Sequence, residues 1–204
     1  MNRLFMNRLL VATHNIGKIK EIKLFLSDLN LEIISLSDLN ITKVVEEKDD
    51  TFLSNSLLKS KEYHRLSGVI TLAEDSGLEV KALNGRPGVL SARYGGKNLN
   101  DSDRNDLLLS EMKDVKGLER SARFVSVVTL VSSNEISSSC GYLDGYISHQ
   151  RIGGKGFGYD PIFWVPSKSN TTANLSMKQK NEISHRGKAL EGIKPVLKRL
   201  YKIV

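Results

Sequence analysis

The chain has 204 residues, enough to bury one adequate core without staples, and carries a formal net charge of +7 from 30 Lys and Arg against 23 Asp and Glu. Its lone Cys140 excludes an intramolecular disulfide, no Cys/His spacing suits zinc, and no apolar run reaches the length of a bilayer span. These features predict a single intracellular domain over residues 1–204, in a reducing cytoplasm and without a membrane segment or signal peptide.

Met1-Asn2-Arg3-Leu4 recurs as Met6-Asn7-Arg8-Leu9, and only the second copy runs into a strand. Met6 is therefore an alternative start, and residues 1–7 are a candidate disordered extension. Leu9 to Ala12 predicts a short strand, followed by a helix with Ile19, Ile22, Phe25, Leu26 and Leu29 at helical spacing. The junction Thr13-His14-Asn15-Ile16-Gly17-Lys18 joins strand end to helix start. Free backbone N–H groups, the helix dipole and the Lys18 charge make it a phosphate-loop candidate, although an ordinary capped turn fits the spacing equally well.

Leu31 to Leu36 predicts the second strand. Glu46-Glu47-Lys48-Asp49-Asp50 forms an acidic cluster, of which one or two acids are expected to face a site, and Thr51 is the expected N-cap of a helix through Leu57, Leu58 and Tyr63. Val69 to Ala73 predicts a buried strand that delivers Glu74 and Asp75 at its carboxyl end, where open α/β sheets place ligands and where a divalent metal could be held. Read alone, Asp75-Ser76-Gly77 also fits a simple turn.

Asp101 to Leu118 predicts an amphipathic helix with Leu107, Leu108, Met112 and Val115 as its apolar set. Phe124 to Val131 predicts a long strand hairpinned to Cys140–Ser148, with the serine-rich run from Ser132 to Ser139 at the tip, so the sheet is expected to be mixed. The glycine-dense block Gly153-Gly154-Lys155-Gly156-Phe157-Gly158-Tyr159-Asp160 lets backbone approach a ligand and offers Phe157 or Tyr159 for stacking on a base. A tight connection with core aromatics fits it equally well. Lys180 and Ser184-His185-Arg186 offer donors for phosphate or a keto oxygen ahead of a last helix carrying Leu190, Ile193, Val196, Leu197 and Leu200, which Pro195 should kink or start.

Taken together and in order, these blocks resemble the inosine triphosphate pyrophosphatase family, also called dITP/XTP pyrophosphatases; Thr51-Phe52, Asn55, Pro87-Gly88 and Ser91-Ala92-Arg93-Tyr94 belong to the same match. The resemblance implies an α/β fold with an elongated central mixed sheet flanked by helices, two lobes with the active cleft between them, and a homodimer. It also implies magnesium-dependent hydrolysis of ITP, dITP and XTP to monophosphate and pyrophosphate. By the same resemblance, Asp75 is the proton acceptor and Glu47, Glu74 and Asp75 form the metal site. Thr13, His14, Asn15, Ile16, Gly17, Lys18 and Ser76 bind the triphosphate, and Phe157, Gly158, Tyr159, Asp160, Lys180, His185 and Arg186 bind the nucleotide with its base. Glu74 departs from the Asp usual in bacterial members, and Asn174, Lys81 and Arg86 also depart from the common pattern.

The basic residues are spread along the chain with no Lys/Arg block interleaved with aromatics, so the charge excess reads as affinity for polyanionic small molecules and no stable nucleic-acid complex is expected. A basic nucleic-acid-binding module remains the runner-up, and a pyrophosphatase for modified pyrimidine nucleotides is a nearer rival. A phosphate-binding kinase lacks its Walker or kinase signature.

Overall fold

The computed structural model describes residues 7–203, so the alternative start and the greater part of the proposed extension lie outside the described residues. Among the described residues eight strands form one mixed sheet in the order β2-β1-β3-β5-β6-β7-β8, with β4 pairing on β3. The predicted α/β class with a mixed sheet is what the structure has. Two compact units share the chain. One takes the residues up to Asp75, Ser126–Gly141 and those from Arg186 on; the other takes Ser76–Val125 and Tyr142–His185.

In the first unit β1 (Arg8–Val11) pairs in parallel with both β2 (Glu32–Ser35) and β3 (Ile70–Val80). Parallel strands buried on both faces read as continuous apolar runs, and their side chains alternate between faces. Leu9, Val11 and Leu72 pack with α1 (Ile16–Phe25) and α5 (His185–Tyr201) through Ile22, Leu190, Ile193 and Leu197. Leu10, Ala12 and Ala73 pack on the other side with Tyr63 of α2 (Phe52–Ser67).

The second unit has its own core of Leu78, Val80, Leu108, Phe124, Ile147, Ile162 and Phe163. It holds β4 (Pro87–Gly88), α3 (Asp101–Glu111), β7 (Phe163–Val165), β8 (Asn170–Thr171) and α4 (Met177–Ile183). β5 (Ser121–Val131) and β6 (Ile136–Ile147) contribute residues to both units, as does β3.

Several expectations are corrected. β3 does not stop before the acidic pair. Ser76 to Val80 continue the strand with Leu78 and Val80 buried, so Glu74 and Asp75 lie inside an 11-residue strand. α3 ends at Glu111, where Met112 caps it, and Gly117 at φ +55° opens a separate 3₁₀ turn over Gly117–Arg120. Residues Ser137–Ser139 lie within β6, and the tip is the tighter turn closed by Ser132 N–H donating to Glu135 O at 2.9 Å. Pro195 sits inside α5 on its exposed side, so the helix neither starts nor stops there.

Arg120 ties the second unit together. Only 3 % exposed, it donates to four main-chain carbonyls: Ile147 at 2.7 Å, Met112 at 2.6 Å, Val115 at 3.0 Å and Ser148 at 2.8 Å. Burial lowers its pKa, yet guanidinium basicity keeps it charged. Replacing it with Leu strands four carbonyls, so Arg120→Leu should lower unfolding free energy by about 2–4 kcal/mol. Urea titration should show a lower midpoint at unchanged slope, and Arg120→Lys should fall well short of wild type because one ammonium cannot span the fork. A midpoint within error of wild type for Arg120→Leu would remove Arg120 from this role.

Candidate active site

The pleat separates the two carboxylates at the centre of β3. Glu74 shares a face with Leu72, toward α1 and α5; Asp75 shares a face with Ala73, toward α2. Their partners follow. Glu74 is 1 % exposed. Its Oε1 accepts from Ser126 Oγ at 2.6 Å, while its Oε2 accepts from Arg186 Nε at 2.9 Å and lies 3.6 Å from Lys18 Nζ. Arg186, equally buried, also pairs with Glu21 of α1. Burial alone would push the Glu74 carboxyl up, but Arg186, Lys18 and Ser126 outweigh it and hold the group well below its ordinary range.

Asp75 is less completely matched. Its Oδ1 accepts from Lys59 Nζ at 3.2 Å, whereas its Oδ2 is buried without a hydrogen-bond partner. Burial raises its pKa and Glu47 adds to the rise, against the opposing charges of Lys59 and Lys18. Lys59, from α2, also donates to Glu74 O at 2.7 Å and to the Glu47 carboxylate. Burial disfavours its charge, but Asp75 and Glu47 more than restore it. Lys18 goes the other way: burial lowers its pKa, Glu74 counters, and the neighbouring Lys59 and Arg186 charges lower it further.

One acid of the 46–50 cluster thus turns inward, Glu47. Glu46 pairs with Lys48 at the surface at 2.9 Å, and Asp49 exchanges main-chain bonds with Asn55, its N–H donating at 3.1 Å and its C=O accepting at 3.0 Å. Thr51 caps α2 as expected, accepting from Ser54 N at 3.1 Å.

The phosphate-loop candidate starts α1, with Asn15 as N-cap accepting from Lys18 N–H at 3.1 Å. Asn15 N–H in turn donates to Thr13 Oγ1 at 3.1 Å. The Thr13 and Asn15 side chains thereby fix the loop at the helix start. His14 is exposed with Nε2 3.4 Å from Lys43 O, and Ile16 is 67 % exposed. Ser76 follows Asp75 on β3 and is half-buried.

The second unit gathers the glycine-dense block. Asp160 is 2 % exposed, and its Oδ2 accepts from Phe157 N–H at 2.9 Å and Lys180 Nζ at 2.5 Å, while Oδ1 accepts from Thr172 Oγ1 at 2.8 Å. Lys180 Nζ lies over the half-buried Phe157 ring, 4.8 Å from its centroid. Gly156, at φ +80°, has no room for a Cβ because Asp160 Oδ2 occupies that space. His185 stacks on Phe124 at 4.7 Å and an interplanar angle of 15°.

Two expectations change character. Tyr159 is a core residue, 5 % exposed with its hydroxyl donating to Ser91 O at 2.9 Å, so of the two aromatics only Phe157 presents a face for stacking. Glu74, expected at the metal, has both oxygens committed to protein donors, and Arg186, expected at the base, is engaged with Glu74 and Glu21. Sequence reasoning missed Lys59, Ser126 and Glu21. The available signal for Lys59 was the polar stripe Asn55, Ser56, Lys59, Ser60, Tyr63 along α2, all buried.

Among the described residues no group of three or more His, Cys, Asp or Glu is arranged to hold a metal by protein ligands alone. A small hard cation uses one or two carboxylates and takes its other ligands from water and phosphate oxygens. The orphaned Oδ2 of Asp75 is such a hard donor, and the residues just described include four carboxylates, Glu21, Glu47, Glu74 and Asp75, to three cations, Lys18, Lys59 and Arg186. Chain, fold and site thus define an α/β protein with a buried acid–lysine centre suited to polyphosphate chemistry.

The chain belongs to the Ham1 family, whose model matches residues 9–196. It is 44 % identical to a dITP/XTP pyrophosphatase of Clostridium perfringens over 97 % of this chain and all of that protein, and 37 % identical to one of Bacillus subtilis over 95 % and 98 %. Among solved structures, the Ham1 protein of Staphylococcus aureus superposes with a TM-score of 0.83 at 38 % identity, covering 94 % of this chain and 98 % of that one. A HAM1 protein from Coxiella burnetii gives 0.84 at 37 %, with the same coverage.

The Glu74–Arg186 pair makes a prediction about acid stability. Because the folded pKa of Glu74 lies below its ordinary value of 4.5, the stability it contributes is complete above pH 4.5 and drains as pH falls through the folded value. Glu74→Gln should cost about 3–5 kcal/mol at pH 7 by leaving Arg186 short of a countercharge. It should also flatten the loss of stability between neutral and strongly acid pH, measured by urea unfolding across that range. A variant with the wild-type acid slope would show that Glu74 is not the group titrating.

Proposed function

We propose that the protein hydrolyses non-standard purine nucleoside triphosphates, ITP, dITP and XTP, to the monophosphate and pyrophosphate, with magnesium, and so cleanses the nucleotide pool. The observation that carries this reading is Asp75: a buried carboxylate with one lysine-bonded oxygen and one oxygen without a partner, in a chain of the Ham1 family.

The reaction needs an activated water, charge compensation on the triphosphate and a selective grip on the base. Asp75 orients the water and accepts its proton as oxygen attacks the α-phosphorus. Its Oδ2, buried without a hydrogen-bond partner, is the oxygen placed to receive that proton. Lys59 holds Oδ1 in place and keeps Glu47 beside it, so the carboxylate cannot rotate freely. Residues Thr13 to Lys18 and Ser76 receive the triphosphate, and Lys18 balances charge on the departing pyrophosphate. Magnesium, held by Asp75 and Glu47 with water and phosphate oxygens, would supply further charge compensation. Glu74 acts at one remove, positioning Lys18 and Arg186 rather than contributing a free oxygen.

For the base, Phe157 offers a stacking face, and Lys180 and His185 offer donors. A six-keto purine presents an acceptor where adenine presents an amino donor, so a donor-lined pocket leaves adenine unpaired. Arg186 supports His185 as its chain neighbour from within the ion pair. A homodimer is carried by the resemblance alone, and a cytoplasmic location by the lone Cys140; no helix among the described residues is long and apolar enough to cross a membrane.

Two experiments test the reading. Pyrophosphate release from ITP, dITP, XTP and the four common nucleotides, with and without magnesium, should show efficient turnover only for the first three and only with the metal. Equal kcat/KM for ATP and ITP would defeat the recognition argument, and turnover undiminished by a chelator would defeat the metal. Separately, Asp75→Asn should reduce kcat by about 10³-fold or more while thermal unfolding stays cooperative. A folded Asp75→Asn protein with near-normal kcat would remove Asp75 as the base.

A further inference from the structure

The glycine-dense loop is held from a side that the sequence did not suggest. Asp101, the first residue of α3, accepts from Gly158 N–H through Oδ2 at 2.7 Å. Asn105, one turn later and 2 % exposed, donates from Nδ2 to Gly158 O at 2.9 Å and to Asp101 O at 2.8 Å. Both main-chain groups of Gly158 are therefore captured by side chains of one helix. Gly158 has φ +60°, a conformation that an L side chain adopts only with strain. The helix itself is firmly started, since Asn100 and Asp103 form a capping box with each bond at 3.0 Å. Asp101 is thus free of the capping duty usual for an acid in a first turn.

We infer that Asp101 and Asn105 are positioning residues for base selection, fixing the Gly158 peptide so that Phe157 keeps its place beneath Lys180, whose Nζ lies 4.8 Å from the ring centroid. The inference rests on the proposed nucleotide hydrolysis. Asp160 holds the same loop from within, through Phe157 N–H and Lys180 Nζ. Asp160 alone fixes the position of Phe157 but leaves the following peptide a hinge, because glycine tolerates several backbone conformations. The two α3 side chains remove that freedom. With both backbone groups of Gly158 satisfied by protein, selection falls to the Phe157 face and the donors around it.

The test uses Asp101, whose side chain is 56 % exposed, so that its loss does not threaten folding. Asp101→Ala should raise KM for ITP about fivefold, the size of one net hydrogen bond, with kcat little changed, and should narrow the ITP-to-ATP ratio of kcat/KM. Asp101→Asn keeps an acceptor at the same reach and should restore both quantities. Amide exchange should report faster exchange at Gly158 in the alanine variant and protection in the asparagine variant. If Asp101→Ala leaves KM and the nucleotide ratio at wild-type values, the inference is overturned, whatever the exchange rate does. If kcat falls with KM unchanged, Asp101 acts elsewhere and the inference is likewise overturned. Failure of the wild type to release pyrophosphate from any of the nucleotides would instead overturn the proposed function, which separates the two claims.

Discussion

The first unit is organised around the problem of keeping a negative charge in the middle of a buried strand. Glu74 on β3 is 1 % exposed, and an isolated carboxylate there would protonate or unfold its surroundings. Arg186, Ser126 and Lys18 solve this by three different routes: an ion pair, a neutral hydrogen bond and a longer-range charge. Each route ties a different element to β3, namely α5, β5 and α1. Glu21 then balances the second edge of Arg186 from α1. The network costs desolvation at every member, so its worth lies in register: slipping β3 by one residue would turn Asp75 toward Arg186 and Glu74 toward Lys59.

That alternation gives two chemically similar neighbours different tasks. Glu74 is matched on both oxygens and held ionised, a fixed charge around which cations are placed. Asp75 is matched on one oxygen and its pKa is pushed up, which favours the proton-accepting and metal-holding roles proposed for it. Pairs of titratable groups driven in opposite directions by their surroundings are a recurrent basis for assigning acid and base roles. Here the divergence needs no sequence difference beyond one methylene, since the two faces of one strand supply the two environments.

The strongest local patterns were legible in the sequence. The β1 strand, the Asn15 and Lys18 loop, the Thr51 cap and the mixed sheet follow from periodicity and capping chemistry, and the ordered blocks carried the family resemblance. What was hidden depends on contacts between distant residues. Ser126 and Arg186 lie 52 and 112 positions from Glu74, and no local pattern joins them. The end of β3 was misplaced because an acidic pair followed by Ser-Gly looks like a turn, and only buried countercharges make it tolerable inside a strand. Tyr159 is open to two readings for a similar reason: an aromatic in a glycine-rich block suits either stacking or the core, and a buried ring whose hydroxyl has a main-chain partner in Ser91 decides for the core.

Helix α2 shows how far the site reaches into the fold. The helix runs through Leu57, Leu58 and Tyr63 as expected, yet Leu53, Leu58 and Leu66 are 49 %, 40 % and 41 % exposed. The buried stripe instead holds Asn55, Ser56, Lys59 and Ser60 between Phe52 and Tyr63. Hydrophobic burial alone would rotate the helix the other way. The polar stripe is retained because three of its members have partners beyond the helix: Lys59 with Glu47 and Asp75, Ser56 with Thr129 at 2.8 Å, and Asn55 with the Asp49 main chain, while Ser60 Oγ donates to Leu57 O within the helix at 3.0 Å. A helix whose orientation is set by a lysine rather than by its leucines marks where placing charge outweighs burying hydrocarbon, and it accounts for why the apolar core of this unit is drawn from β1, α1 and α5 more than from α2.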